Sequence, residues 1–157
     1  MTETNYRLVA SQLRQALGDE TDALANAANF VAVLYNALDN VNWLGLYLAR
    51  GDELVLGPFQ GLAAVTRIAM GKGVCGVAAA ARETQRVPDV HAFPGHIACD
   101  IASRSELVVP LLLGDELLGV LDIDSPSLDR FSAADQSGIE ELCALFLDVL
   151  RERGATI

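Results

Sequence analysis

The sequence is short of basic residues and proline, and each shortage excludes a class of protein. Its 157 residues carry 11 Lys and Arg against 21 Asp and Glu, a net charge of −10, with no basic patch. Such a surface repels phosphate groups, so we expect neither nucleic acid nor an anionic membrane as a partner. With 52% hydrophobic residues, 20% charged residues and five prolines, the chain is neither disordered nor collagen-like. Its length predicts one domain with its own core.

Long apolar runs and paired cysteines are also missing. The apolar runs are far shorter than the roughly 20 residues of a membrane-spanning helix, and no basic segment leads into an apolar run near Met1, so no secretory leader is expected. The three cysteines, an odd number, are Cys75, Cys99 and Cys143. This composition predicts a cytoplasmic location and thiols that are free, catalytic or simply buried.

Hydrophobic periodicity predicts an α+β fold. A period near 3.6 predicts a helix over 22–38, capped by Thr21 or Asp19, and a last helix that begins at Ser132 with Asp135 beside its cap. An antiparallel sheet with helices segregated to one face fits the order of elements. The other expected helices are 5–17 and 75–83, the expected strands are 41–49, 53–56, 65–70, 106–113 and 116–124, and most of 84–105 is expected as loop.

Two of the three thiols have sequence surroundings that suit chemistry. Cys75 follows Gly71-Lys72-Gly73-Val74 at a helix start, where backbone N–H groups lower a thiol pKa, although a small apolar residue at a tight turn explains it equally. Cys143 lies on the apolar face of the last helix, which predicts core packing.

Cys99 lies in a loop with potential partners. His91, His96 and Asp100 are close to it in sequence, so it is either an activated nucleophile or a semi-buried side chain in an ordered loop. The same imidazoles with Cys99 and Cys75 are suitable zinc ligands, but no C-x-x-C or H-x-x-x-H pair occurs, and we expect no metal and no other cofactor.

Three carboxylates and two aromatics follow the predicted strands. Asp122 and Asp124 share one strand face, and Glu106 opens the facing strand. They are either solvated where the strand ends or crowded together, in which case one pKa rises and supplies a general acid near neutral pH. Trp43 and Tyr47 share one face of the first strand, either as core aromatics or as the wall of a ligand pocket.

Five segments of the sequence together resemble the free methionine-(R)-sulfoxide reductases, which are stand-alone GAF-domain enzymes. The resemblance covers essentially the whole chain. Its segments are NWLGLYL at 42–48, GKGVCG at 71–76, VPDVHAFPGHIACD at 87–100, SELVVPL at 105–111 and GVLDIDSP at 119–126.

The resemblance implies a fold, a reaction and partners. It implies a single GAF domain over 1–157, a central antiparallel sheet of about six strands with the N- and C-terminal helices packed on one face. It further implies reduction of free L-methionine-(R)-sulfoxide to methionine, thioredoxin as the reductant and a possible homodimer. The rival class is a GAF-type sensor module that binds a small ligand without turnover.

The resemblance also assigns roles to residues. It makes Cys99 the nucleophile that forms a sulfenate and Cys75 the thiol that resolves it as a disulfide, because Val65 stands where the family has its first cysteine. The residues matching the family's substrate and catalytic positions are Trp43, Tyr47, Glu106, Asp122 and Asp124.

If Glu106, Asp122 and Asp124 share one pocket, the hairpin around Gly114-Asp115 cannot be regular. A regular two-residue turn at Gly114-Asp115 places Glu106 opposite Ile123, on the face away from Asp122 and Asp124. We therefore predict an odd-length loop or a bulge near Pro110, either of which brings Glu106 opposite one of the two aspartates.

Overall fold

Six antiparallel strands and four α-helices are formed by the residues that the computed structural model describes, which are 3–96, 101–154 and 157. The sheet order is β3-β2-β1-β6-β5-β4, which confirms the predicted α+β class. The strands are β1 (Trp43–Arg50), β2 (Glu53–Gln60), β3 (Arg67–Ala69), β4 (Gln85–Val87), β5 (Ser105–Leu113) and β6 (Glu116–Ser125). The helices are α1 (Tyr6–Leu17), α2 (Ala23–Ala37), α3 (Gly73–Ala81) and α4 (Ala133–Glu152), with a 3-10 turn at Val90–Ala92.

The sheet separates two hydrophobic layers. Residues of α1, α2 and α4 pack with Leu44 and Leu46 of β1 and Leu107 of β5 on one face. The alternate residues of the same strands, such as Val108, pack with α3 on the other face. The N- and C-terminal helices therefore share one face as expected, whereas the prediction that all helices are segregated there is wrong for α3.

Helix ends follow from local side-chain chemistry. The Ser132 side chain accepts from the Asp135 backbone N–H, and the Asp135 side chain accepts from the Ser132 backbone, so the predicted start of α4 is confirmed as a capping box. The expected cap of α2 is wrong: Asp22, rather than Thr21 or Asp19, accepts from the Ala25 N–H. Asp22 is the residue immediately before the helix, which is where a side-chain oxygen reaches the third amide.

Two predicted strands differ in extent. β2 continues to Gln60 through Gly57-Pro58, residues that usually interrupt a strand. Residues 85–87 form β4 at the edge of the sheet, paired with β5, where the sequence predicts only loop. The short segment has no alternating pattern of its own and gains its strand geometry from pairing with β5.

The β5–β6 hairpin combines a two-residue turn with a bulge. Leu113 faces Glu116 across Gly114-Asp115, but Leu111 faces Gly119, so the register shifts by one residue at Leu118. As predicted, this shift brings Glu106 opposite Asp124. The extra residue lies on β6 and not beside Pro110, which pairs normally with Val120.

Gly119 is required beside the bulge. A Cβ at this position would overlap the carbonyl oxygen of Tyr47 in β1. The close approach of β6 to β1 therefore depends on a residue without a side chain.

Candidate active site

A row of functional side chains crosses three neighbouring strands. Glu106 of β5 faces Asp124 of β6, and Asp124 faces Trp43 of β1. One step along the same face, Asp122 faces Gly45 of β1. Directly opposed residues of antiparallel strands have Cβ atoms about 5 Å apart. The bulge thus gathers all three predicted carboxylates and the predicted tryptophan on one face of the sheet.

Cys75 lies over these carboxylates from the first turn of α3. Its Sγ lies 4.0 Å from Oε1 of Glu106, toward which the thiol donates. The Cys75 sulfur, one carboxyl oxygen of Glu106 and one carboxyl oxygen of Asp122 all lie within 4.8 Å of one another, and all three residues are buried. The segment before α3 is close-packed, because a Cβ at Gly76 would lie 2.5 Å from the Ala69 carbonyl oxygen. The thiol and the acids therefore face each other between a helix start and the sheet.

Glu106 is a buried acid that keeps its proton at neutral pH. Burial, together with the negative charge of Asp124, raises the pKa of Glu106 to about 8, although a hydrogen bond with Asp122 opposes the rise. The sequence predicts such a crowded acid, and Glu106 has a pKa raised in this way.

His96 is a neighbour of Glu106 that the sequence does not single out for this role. Its Nε2 lies 3.5 Å from Oε2 of Glu106. Burial lowers the pKa of His96, and the negative charge of Asp122 partly offsets that effect. His91, the other histidine of the chain, is exposed, and its backbone N–H donates to the Asp89 side chain.

An aromatic wall closes the other side of this face. Trp43 stacks on Tyr47 and Phe59, with ring centroids 5.9 and 5.4 Å apart. A Cβ at Gly45 would lie 2.6 Å from the Trp43 ring, so the glycine makes room for the indole. The sequence does not predict Phe59 as part of this wall, because Phe59 lies in the second half of β2, which is not expected to be strand.

The polar tips of the two aromatics bind the connection between β2 and β3. The indole N–H of Trp43 donates to the Leu62 carbonyl at 3.0 Å, and the Tyr47 hydroxyl donates to the Val65 carbonyl at 2.8 Å. These bonds satisfy two buried polar groups and hold residues 61–66 against the two aromatic side chains.

The cysteines lie in different environments. Cys143 is buried in the helical layer, where burial raises the pKa of its thiol, so its predicted core packing is confirmed. Cys75 is in the layer on the opposite face of the sheet. Cys99, and with it Asp100, lies outside the residues that the structure describes.

The candidate ligand cluster differs from the zinc ligands suggested by the sequence. Among residues 3–96, 101–154 and 157 it is Cys75, Glu106 and Asp122, without His91 or His96, while Cys99 lies outside those residues. A cation bound there would first have to displace the proton that Glu106 retains at neutral pH. A proton-bearing acid beside a thiol suits proton transfer better than metal binding.

A surface groove lies apart from this cluster. This groove of about 600 Å³ between the start of α1 and the end of α2 is lined by residues that include Leu8, Val33 and Asn36, and it offers no thiol or imidazole.

Within the part of the chain that the structure describes, no helix has the length and apolar character needed to cross a membrane.

The raised pKa of Glu106 makes a testable prediction about stability. The pKa moves from an ordinary 4.5 to about 8 on folding, so its stabilising contribution is complete below 4.5 and is lost as the pH rises through 8. Glu106→Gln cannot ionise, and its melting temperature relative to the wild type should rise by about 5 °C or more between pH 5 and pH 8. Differential scanning calorimetry measures this difference.

Glu116→Gln is the matched control, because Glu116 is exposed on the neighbouring strand. Its melting temperature should stay at a constant offset from the wild type. An equally constant offset for Glu106→Gln would show that Glu106 does not carry the raised pKa.

The comparisons with known proteins agree with this fold and identify its family. The family model of the GAF domain matches residues 3–147, and the six-stranded antiparallel sheet with its flanking helices is a GAF fold. The chain is 51% identical over 134 residues to the free methionine-R-sulfoxide reductase of Escherichia coli (strain K12), covering 85% of this chain and 81% of that one.

Solved structures give the same result. The free methionine-R-sulfoxide reductase from Neisseria meningitidis in complex with its substrate is 46% identical, with a TM-score of 0.90 over 95% of this chain and 90% of that one. The fRMsr of Staphylococcus aureus in complex with substrate is also 46% identical, with a TM-score of 0.90 over 96% and 98%. This chain belongs to the GAF-domain family and, within it, to the free methionine-R-sulfoxide reductases.

Proposed function

We propose that the protein reduces free L-methionine-(R)-sulfoxide to L-methionine in the pocket between α3 and the sheet. The observation that carries the proposal is the buried cluster of Cys75, Glu106 and Asp122, with its donor atoms within 4.8 Å of one another, beside the Trp43 ring. The 51% identity to the Escherichia coli reductase supports the choice of substrate.

The proposed first step transfers oxygen from the substrate to a cysteine. The thiolate of Cys99 attacks the sulfoxide sulfur, the oxygen takes up a proton, and methionine leaves while Cys99 becomes a sulfenic acid. The proton must come from an acid that is still protonated at neutral pH. Glu106 suits this role, since its pKa is raised to about 8.

Substrate recognition follows from the charge and shape of the pocket walls. Asp122 and Asp124 attract the α-ammonium group of a free amino acid, and a peptide-embedded methionine sulfoxide has no such group. Trp43 and Tyr47 provide an aromatic surface for the side chain that carries the sulfur. Selection of the free amino acid therefore rests on a charge that peptides lack.

The cycle closes through a disulfide. Cys75 condenses with the sulfenate of Cys99, and thioredoxin reduces the resulting bond by exchange in a reducing cytoplasm. Cys75 takes this role because Val65 stands at the family's first cysteine position and Cys143 is on the far side of the sheet. We further propose a single domain over 1–157 that dimerises through its helices, where Leu8 and Leu24 are exposed.

An assay coupled to NADPH, thioredoxin reductase and thioredoxin tests the proposal. We expect turnover with free L-methionine-(R)-sulfoxide and a loss of roughly 100-fold or more in kcat/KM with its N-acetyl derivative, which lacks the ammonium charge. Equal rates with both compounds would remove the proposed role of the aspartates. Tight binding of the free amino acid without turnover would instead identify a sensor module.

A further inference from the structure

Glu106 lies between a thiol and an imidazole, with a different oxygen atom toward each. Oε1 lies 4.0 Å from the Cys75 sulfur, and Oε2 lies 3.5 Å from Nε2 of His96. We propose that Glu106 and His96 form a proton relay that ionises Cys75, so that His96 is a positioning residue which accepts the thiol proton through Glu106. This inference rests on the proposed function, because the thiolate it produces is the one that resolves the sulfenate.

A carboxylic acid between two partners can pass a proton without changing its own charge. Glu106 accepts the Cys75 proton at Oε1 while it gives up its own proton from Oε2 to the imidazole. The products are a thiolate, a neutral acid and an imidazolium. Only His96 gains a positive charge and Glu106 stays neutral throughout, so the one new negative charge is on the Cys75 sulfur, where the first turn of α3 favours it.

The charges around the relay suit this direction of transfer. At neutral pH Glu106 carries a proton, since its pKa is raised, and His96 is neutral, since burial lowers its pKa. The other titratable groups facing Glu106 within the described residues are Asp122 and Asp124 of β6. The negative charge of Asp122 stabilises an imidazolium once it forms, which partly offsets the burial that lowers the pKa of His96. Arg86 of the adjacent β4 donates to Gln136.

Cys75 needs a base because its surroundings oppose its ionisation. Cys75 is 4% exposed and its sulfur adjoins the carboxyl groups of Glu106 and Asp122, an environment that favours the neutral thiol. The N-terminal position in α3 favours the thiolate, and the thiol donates toward the acid of Glu106. In the relay, His96 takes up the thiol proton through Glu106, and Cys75 can then ionise.

The relay balances the condensation that follows. The Cys75 thiolate attacks the sulfenate sulfur of Cys99, the S–S bond forms, and the S–O bond breaks. The departing hydroxide takes up the proton that His96 held, and water leaves. The thiol and the sulfenic acid together become a disulfide and water, with no outside oxidant or reductant.

His96→Gln tests the relay, with His91→Gln as the matched control at the chain's other histidine. Glutamine keeps a hydrogen-bonding side chain but cannot take up a proton at neutral pH. After mixing with one equivalent of free methionine sulfoxide, dimedone trapping and mass spectrometry follow sulfenate and disulfide. We expect disulfide formation to slow roughly 100-fold in His96→Gln, more than methionine release does, with accumulation of the sulfenate. The pH–rate profile of disulfide formation should lose its inflection near neutrality, and His91→Gln should match the wild type.

A second measurement does not depend on the reductase activity. In the Cys99→Ser background, the ultraviolet absorbance of the thiolate reports the ionisation of Cys75, because Cys143 is buried with a raised pKa. Adding His96→Gln should move the ionisation midpoint upward by about one pH unit. An unchanged midpoint, or disulfide formation at the wild-type rate in His96→Gln, would overturn the relay. The wild type could form no methionine while His96→Gln still moves the ionisation midpoint of Cys75 in the Cys99→Ser background. That result would contradict the proposed function and support the relay.

Discussion

Replacing Cys99 by serine is expected to abolish the formation of methionine from methionine sulfoxide, even in a single turnover. A serine hydroxyl is a far weaker nucleophile than a thiolate and cannot carry the sulfenic acid intermediate. The rate of methionine release should fall by roughly 1,000-fold or more. Quenched-flow mixing with excess enzyme, followed by chromatographic detection of methionine, measures this single turnover directly.

Cys143→Ala is the control for this experiment. Cys143 packs in the helical layer on the opposite face of the sheet from the acidic cluster, so its loss should affect stability and not methionine release. Substantial single-turnover release by Cys99→Ser would remove Cys99 from the reaction. The nucleophile would then have to be sought at Cys75, whose sulfur lies beside Glu106.

Replacing Cys75 by serine is expected to stop the cycle while leaving its first half. The variant should release about one methionine per chain and then stall with Cys99 as the sulfenate, because no second thiol remains in the pocket to form the disulfide. Thioredoxin-dependent NADPH oxidation should fall to background. Burst amplitude under excess substrate measures the first turnover, and the coupled assay measures the rest.

Peptide mapping of the oxidised wild type provides the complementary test. We expect a Cys75–Cys99 bond, which requires the two Cα atoms to approach to about 4.4–6.8 Å. A bond to Cys143 would contradict the assignment, and it would also require a path around the sheet that separates Cys143 from Cys75. A sulfenate that persists in the wild type would show that Cys75 does not resolve it.

The hairpin illustrates how much of the site is predictable from sequence. The two-residue turn at Gly114-Asp115 follows from residue type, and alternation along β6 places Asp122 and Asp124 on one face. The existence of a bulge follows only when Glu106 is required to share that face. Its position at Leu118 does not follow, because it depends on the close approach of Gly119 to the Tyr47 carbonyl in β1.

Other parts of the site have no local signal at all. His96 lies in a stretch without hydrophobic periodicity, so nothing in its neighbours indicates that its ring reaches Oε2 of Glu106. The same holds for β4, whose three residues become a strand by pairing with β5. Contacts made by loop residues depend on how the helices and strands pack. A single sequence indicates that packing only where a residue type strongly prefers one kind of position.

The hydrogen bonds that hold residues 61–66 have a consequence for how related sequences diverge. Trp43 and Tyr47 hold residues 61–66 through main-chain carbonyls, and every residue type offers the same carbonyl. The side chain at 65 can therefore be exchanged, as valine for the family's cysteine, without loosening the wall. The thiol chemistry at position 65 thus depends on its side chain and the wall on its main chain, so one amino-acid replacement there can add or remove a thiol while these hydrogen bonds stay the same.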